Sequence, residues 1–182
     1  MGKQLQAFSL LGLLSGLICS FVGPVLPDIK WLVDAFPGVV LGCFIFFAGR
    51  YIAHRDSRKW LSALLVIVSA SIIGWRLAVK IGVDSGLDEL YLFSVCGAVG
   101  AGCVALGLLY AWRIRTGVVP FVLMTLLAGA FGGFLFHLIE LVTGISSINN
   151  DALWTTLLFT LWQTLLFIGL AFALRFGSAR GA

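Results

Sequence analysis

RYIAHRDSRK, residues 50–59, sets Arg50, Arg55, Arg58 and Lys59 between two runs that are almost wholly apolar. In a chain that threads a bilayer, such a turn stays on the cytoplasmic side. Moving it across opposes the membrane potential and forfeits the attraction of the anionic leaflet. Holding this turn inside gives a direction to every apolar segment before and after it.

The composition requires lipid as the solvent. Of the 182 residues, 60% are hydrophobic and 11% charged, and the mean hydropathy is +1.08. A soluble domain carries roughly 25% charged and 45–50% apolar residues, so this chain lacks the polar surface to fold in water. The net charge of +4 does not indicate a nucleic-acid partner, because the basic residues stand at segment ends rather than on one solvated face. Cys19, Cys43, Cys96 and Cys103 lie inside apolar runs without C-x-x-C spacing, where thiols act as small packing groups. With only His54 and His137 available, in different segments, no metal or haem site is expected, and no cofactor.

Six transmembrane helices are predicted, over about 5–22, 37–53, 60–80, 90–112, 119–142 and 152–176, each near the roughly 20 apolar residues a bilayer requires. The charge-then-apolar opening lacks a small-x-small cleavage site and runs into Pro24 and Pro27, so it reads as a retained helix. Residues 28–36, DIKWLVDAF, read as a short interfacial stretch, with Pro37 as the first position of the second helix. Gly12/Gly16, Gly38/Gly42 and Gly129/Gly133 form G-x-x-x-G pairs, the spacing that lets helix backbones approach closely in lipid, either within or between chains. Lys3, Arg50, Arg55, Arg58, Lys59, Arg113, Arg115, Arg175 and Arg180 then fall inside, against Lys30, Arg76 and Lys80 outside, nine of the 12 basic residues. The expected fold is all-α: a single-domain, polytopic, six-helix integral membrane bundle in the inner membrane, both termini cytoplasmic.

One polar seam stands out. Thr125, Gly129, Gly133, His137, Glu140 and Gly144 recur at spacings of four, four, four, three and four, one stripe at 3.6 residues per turn. Thr156, Thr160, Gln163 and Thr164 form a second stripe on the next helix. A short loop joins the two helices, so they are expected to pack antiparallel with levels mirrored about residue 148 or 149. That sets Thr156 level with Glu140, and Thr160 with His137. Arg76 reaches a similar depth and is a candidate partner for Glu140, or a headgroup marker with Trp75 and Lys80. Ionisable side chains within a span default to a functional hypothesis: a proton relay, a cation site or a vestibule. The competing reading is helix–helix hydrogen bonding, each bond worth roughly 0.6–2 kcal/mol. Arg55, Arg58 and Lys59 are candidates for docking a cytoplasmic partner or anionic lipid heads.

There is no H-E-x-x-H or G-x-S-x-G, and no nucleophile accompanies His137, so no catalytic residue is assigned. The expected function is a small-solute or ion transport or permeation component, working as a membrane subunit of a larger or homo-oligomeric complex. In its small size, six helices and cytoplasmic termini the chain resembles the substrate-binding membrane components of energy-coupling-factor importers. The resemblance covers topology and length, and implies a partner supplying the nucleotide-binding loop absent here. The alternative is a membrane-embedded sensor, anchor or pore-forming effector coupled to a cytoplasmic partner. In either reading the partners are the lipid bilayer and either itself or another protein subunit, with no nucleic acid.

Overall fold

A computed structural model describes residues 2–26, 29–53 and 59–176. Among the described residues there are no strands. The helices are α1 Gly2–Val22, α2 Lys30–Phe47, α3 Trp60–Asp84, α4 Glu89–Ala111, α5 Val118–Thr143 and α6 Asp151–Phe176. All six are long and apolar enough to cross a membrane.

Each helix packs on the next in sequence, and α6 returns to pack on α1, so the bundle closes as a ring whose thinnest seam lies between α1 and α2. All neighbours run antiparallel. Gly12 and Gly16 of α1 lie against Thr164 and Thr160 of α6, and Gly38 and Gly42 of α2 against Ile72 and Val68 of α3. Gly129 and Gly133 of α5 face Gly97 and Phe93 of α4. Every G-x-x-x-G pair predicted from the sequence is thus occupied within this chain. A Cβ at Gly16 would stand 2.6 Å from the Thr160 Cα, and one at Gly42 2.6 Å from the Val68 Cα. Backbone approach this close, with the dispersion contact it brings, is what associates helices when lipid removes the hydrophobic drive between them.

The antiparallel order collects Arg50, Lys59, Arg113, Arg115 and Arg175 at one end, together with Gly2 and Phe176. Asp34, Asp84, Glu89 and Asp151 stand at the other. At the basic end the interior is solid. Phe8, Ile45, Ile67, Leu108, Phe121 and Leu170, one from each helix, are essentially fully buried. Two buried hydroxyls here are satisfied by their own helices: Thr125 Oγ1 donates to the Phe121 carbonyl at 2.8 Å and Ser71 Oγ to the Ile67 carbonyl at 2.9 Å.

The second helix departs from the sequence expectation. It begins at Lys30, not Pro37, and takes the supposed interfacial stretch into the span. Its first bonds run from the amides of Leu32 and Val33 to the Ile29 carbonyl, at 2.8 and 3.1 Å. Proline fixes φ at a helical value and removes a single rung, so the helix passes through Pro37. Beyond Phe47 the chain widens into a π-turn, Ala48–Ile52, closed by the Ala53 amide on the Ala48 carbonyl at 3.0 Å. A Cβ at Gly49 would overlap the ring of Trp112, so this glycine admits the indole that braces α2 against the end of α4.

α4 ends on a strained residue. Arg113 has φ 50°, in the left-handed region that suits glycine and burdens other residues by roughly 1–2 kcal/mol. The turn holds because Arg113 and Ile114 donate to Tyr110 and Leu109 at 3.3 and 3.0 Å, while Ile114 is buried against the core. Arg113→Gly will therefore raise the unfolding midpoint in mild detergent by about 2–4 °C. A lowered midpoint would mean that the guanidinium contributes more than the strain.

Candidate functional site

Away from the basic end the helices part. Between α3, α4, α5 and α6 lies a cavity of about 280 Å³, walled chiefly by Trp75, Phe93, Trp154, Phe159 and Trp162. Its floor exists because glycines let Trp162 cross the bundle. The indole lies against Gly97 and Gly100 of α4 and Gly132 of α5, where a Cβ at Gly132 would come within 3.2 Å of its Cδ1. Trp75 and Phe159 meet in the cavity wall, ring centroids 5.1 Å apart. Gly82, Cys96, Gly97 and Gly133 are also in the lining, and no charged side chain is among the described lining residues.

His137 and Glu140 stand beside this cavity, behind its wall. The Trp154 Nε1–H donates to Glu140 Oε1 at 2.7 Å, and His137 Nδ1 lies 3.6 Å from Glu140 Oε2. The latter is beyond a hydrogen bond, leaving Nδ1 without a donor–acceptor partner. Phe93 stacks on the imidazole, centroids 5.9 Å apart and planes 23° apart. Phe136 meets Trp154 edge-on at 5.1 Å. With side chains only 12% and 20% exposed, the pair is held within an aromatic cage, and the cavity meets its outer surfaces, Phe93 and Trp154.

The remaining seam residues go elsewhere. The two helices run antiparallel as expected, but Glu140 meets Trp154 and Gly132 meets Trp162, a register centred near residue 147 rather than 148 or 149, and the faces differ too. The α5 stripe turns to α4, and the α6 stripe turns to α1, because Gly97 of α4 and Gly12 and Gly16 of α1 offer the flattest surfaces. Thr156 and Thr160 donate to the carbonyls of Ala152 and Thr156 in their own helix. Gln163 Nε2 donates to Cys19 Sγ at 3.4 Å, and the buried Gln163 Oε1, Ser15 Oγ and Thr164 Oγ1 have no partner. Arg76 does not reach Glu140. Its guanidinium pairs with Asp34 of α2 at 3.6 Å, the two side chains 62% and 40% exposed, a contact of little energetic weight. Trp75, grouped with it as a headgroup marker, instead faces the cavity.

Of the basic docking candidates, Arg55 and Arg58 lie outside the described residues, and Lys59 is exposed ahead of α3. A second groove, also about 280 Å³, runs beside it between Phe46, Phe47, Arg50, Tyr51 and Trp60. Among the described residues no group of three His, Cys, Asp or Glu side chains is placed to hold a metal.

The aromatic wall is what sequence reasoning missed. Its signal was available in Trp75, Trp154 and Trp162, indoles inside apolar spans, whose N–H groups need partners when buried. Comparison with known protein families, with characterised proteins and with solved structures finds no match.

Proposed function

We propose that the chain spans the inner membrane six times with both termini cytoplasmic, and serves as the ligand-binding membrane component of a transport system for a small, largely apolar molecule. The observation that carries this is the cavity: about 280 Å³ bounded by aromatic and small side chains, an apolar lining like that of small-molecule sites and a volume just below their usual range of roughly 300–1,000 Å³. Its position supports loading from the outer leaflet, since the basic end is the cytoplasmic one by the positive-inside bias. The solid packing at that end supports binding rather than passage by this chain alone. Transfer inward requires a partner that parts the helices, one supplying the nucleotide hydrolysis for which this sequence has no loop.

Gly82→Leu tests the reading. A Cβ at Gly82 meets nothing nearer than Cys96 Sγ at 3.8 Å, so the backbone tolerates the change while the isobutyl group enters the cavity. Wild-type protein extracted mildly from its native membrane will carry a near-stoichiometric apolar molecule, detected by mass spectrometry of the solvent extract. Gly82→Leu will retain less than about a tenth of it while remaining folded. Recovery of bulk phospholipid alone, identical for both proteins, would overturn the proposal.

A further inference from the structure

The groove at the basic end joins a charge to an apolar slot. Its outer part is Arg50, Tyr51 and Trp60, and its inner part Cys43, Phe46 and Leu64. At the rise of a helix, Cys43 lies about 10 Å deeper in the span than Arg50. The Arg50 guanidinium stands over the Tyr51 ring, Cζ to centroid 5.9 Å. Tyr51 in turn stacks on Phe47, centroids 5.8 Å and planes 19° apart. That column holds the cation at the mouth of the slot. No carboxylate pairs with it among the described residues, since Asp34, Asp84, Glu89 and Asp151 stand at the opposite end. Arg50 and Tyr51 belong to the π-turn Ala48–Ile52, a widening that is rare in helices and frequent where they carry function. Tyr51 and Trp60 are 63% and 53% exposed, so the mouth is open.

We infer that this groove binds one anionic phospholipid of the leaflet at the basic end. Its phosphate takes Arg50, and one acyl chain runs inward past Phe46, Cys43 and Leu64. The exposed Lys59, ahead of Trp60, adds charge at the same level. The inference rests on the six-span reading above, and on neither the cavity nor its ligand. A guanidinium is the side chain best matched to phosphate, which it meets with two parallel N–H bonds. The indole and phenol at the mouth suit the glycerol level, where one end of a side chain is apolar and the other wet. A free phosphate would leave the inner slot without a partner. A soluble protein segment would have to carry its backbone into hydrocarbon to fill it. A zwitterionic headgroup brings a cation, for which the described lining has no carboxylate.

Dioleoyl phosphatidylglycerol and dioleoyl phosphatidylcholine share their chains and differ in net charge. Both are offered together to the full chain in mild detergent, and native mass spectrometry counts the lipid that stays bound. The wild type will retain one phosphatidylglycerol, preferred about tenfold. Arg50→Gln will lower that preference to about twofold or less. Arg115→Gln, exposed at the same end but outside the groove, will keep it. A preference that survives Arg50→Gln, or falls equally in Arg115→Gln, overturns the inference, as does equal or absent retention of the two lipids by the wild type. Inorganic phosphate in large excess will not displace the lipid; displacement would leave only a simple anion site. A second protein chain that leaves with the wild type but not with Arg50→Gln, the lipid counts being equal, would give the groove to a protein. Should Arg50→Gln fail to fold, Trp60 decides. In nanodiscs of both lipids, chain-brominated phosphatidylglycerol will quench the emission that Trp60→Phe removes more strongly than chain-brominated phosphatidylcholine, and equal quenching overturns the site. These outcomes leave the cavity reading standing. A chain that proves soluble without lipid or detergent would remove both.

Discussion

Gly133→Ala will separate α4 from α5 and lower stability by about 3 kcal/mol or more, at the top of the range for overpacked interiors. The added Cβ would overlap the Phe93 carbonyl and lie 3.0 Å from the Ser94 amide. Both are backbone atoms of a packed helix, so no rotamer change relieves the contact. Either α4 slides or the interface opens. Opening also displaces Phe93, which stacks on His137 and walls the cavity. Gly82→Ala is the matched control, because its Cβ has ordinary van der Waals space, and it will change stability by less than about 0.5 kcal/mol. Unfolding in mixed micelles, followed by near-ultraviolet circular dichroism, measures both. Equal stability of the two variants would show that α4 and α5 do not meet through Gly97, Gly129 and Gly133.

The second large effect concerns Glu140. Glu140→Ala removes the acceptor of the Trp154 N–H and the only carboxylate beside His137 among the described contacts. Leaving a buried donor bare costs about 1–3 kcal/mol, and somewhat more where the lost partner was charged. A loss of about 2–3 kcal/mol is expected. Glu140→Gln retains an acceptor oxygen for Trp154 and will lose less than about 1 kcal/mol. In a Trp154→Phe background the donor is gone, so the further effect of Glu140→Ala will shrink to the part owed to His137. That double-mutant cycle isolates the bond. Full additivity would mean that Trp154 and Glu140 do not interact.

The sequence made the helices legible, and the glycines through which they touch, but not the neighbours those glycines meet. Six apolar runs of spanning length could be read directly, because lipid leaves the backbone few other options. The G-x-x-x-G pairs identified three of the close contacts, since only glycine permits backbones to touch. Facing was harder. Periodicity shows which residues share a side of a helix, but not which neighbour that side meets. Thr156 and Thr160 bond to their own helix, so they require no polar partner and follow the small residues of α1. Pro37 misled for a related reason: it is a good helix start, yet a missing rung does not break a helix enclosed by others. The cavity was invisible because it is a remainder, the space left where side chains from four helices at different heights fail to meet. Glu140 was legible as a site residue, whereas its true partner, Trp154, was hidden by the attention that charged residues attract.

All three close-approach motifs are filled inside the protomer, and this limits how it can keep company in the bilayer. What it turns outward is a coat of long side chains, among them Leu10, Phe21, Leu65, Leu106, Leu127 and Phe131. Two such coats gain little by meeting, since acyl chains wet them as well as they wet each other. A companion must bring its own smooth furrow, or grip the charged rim where water begins.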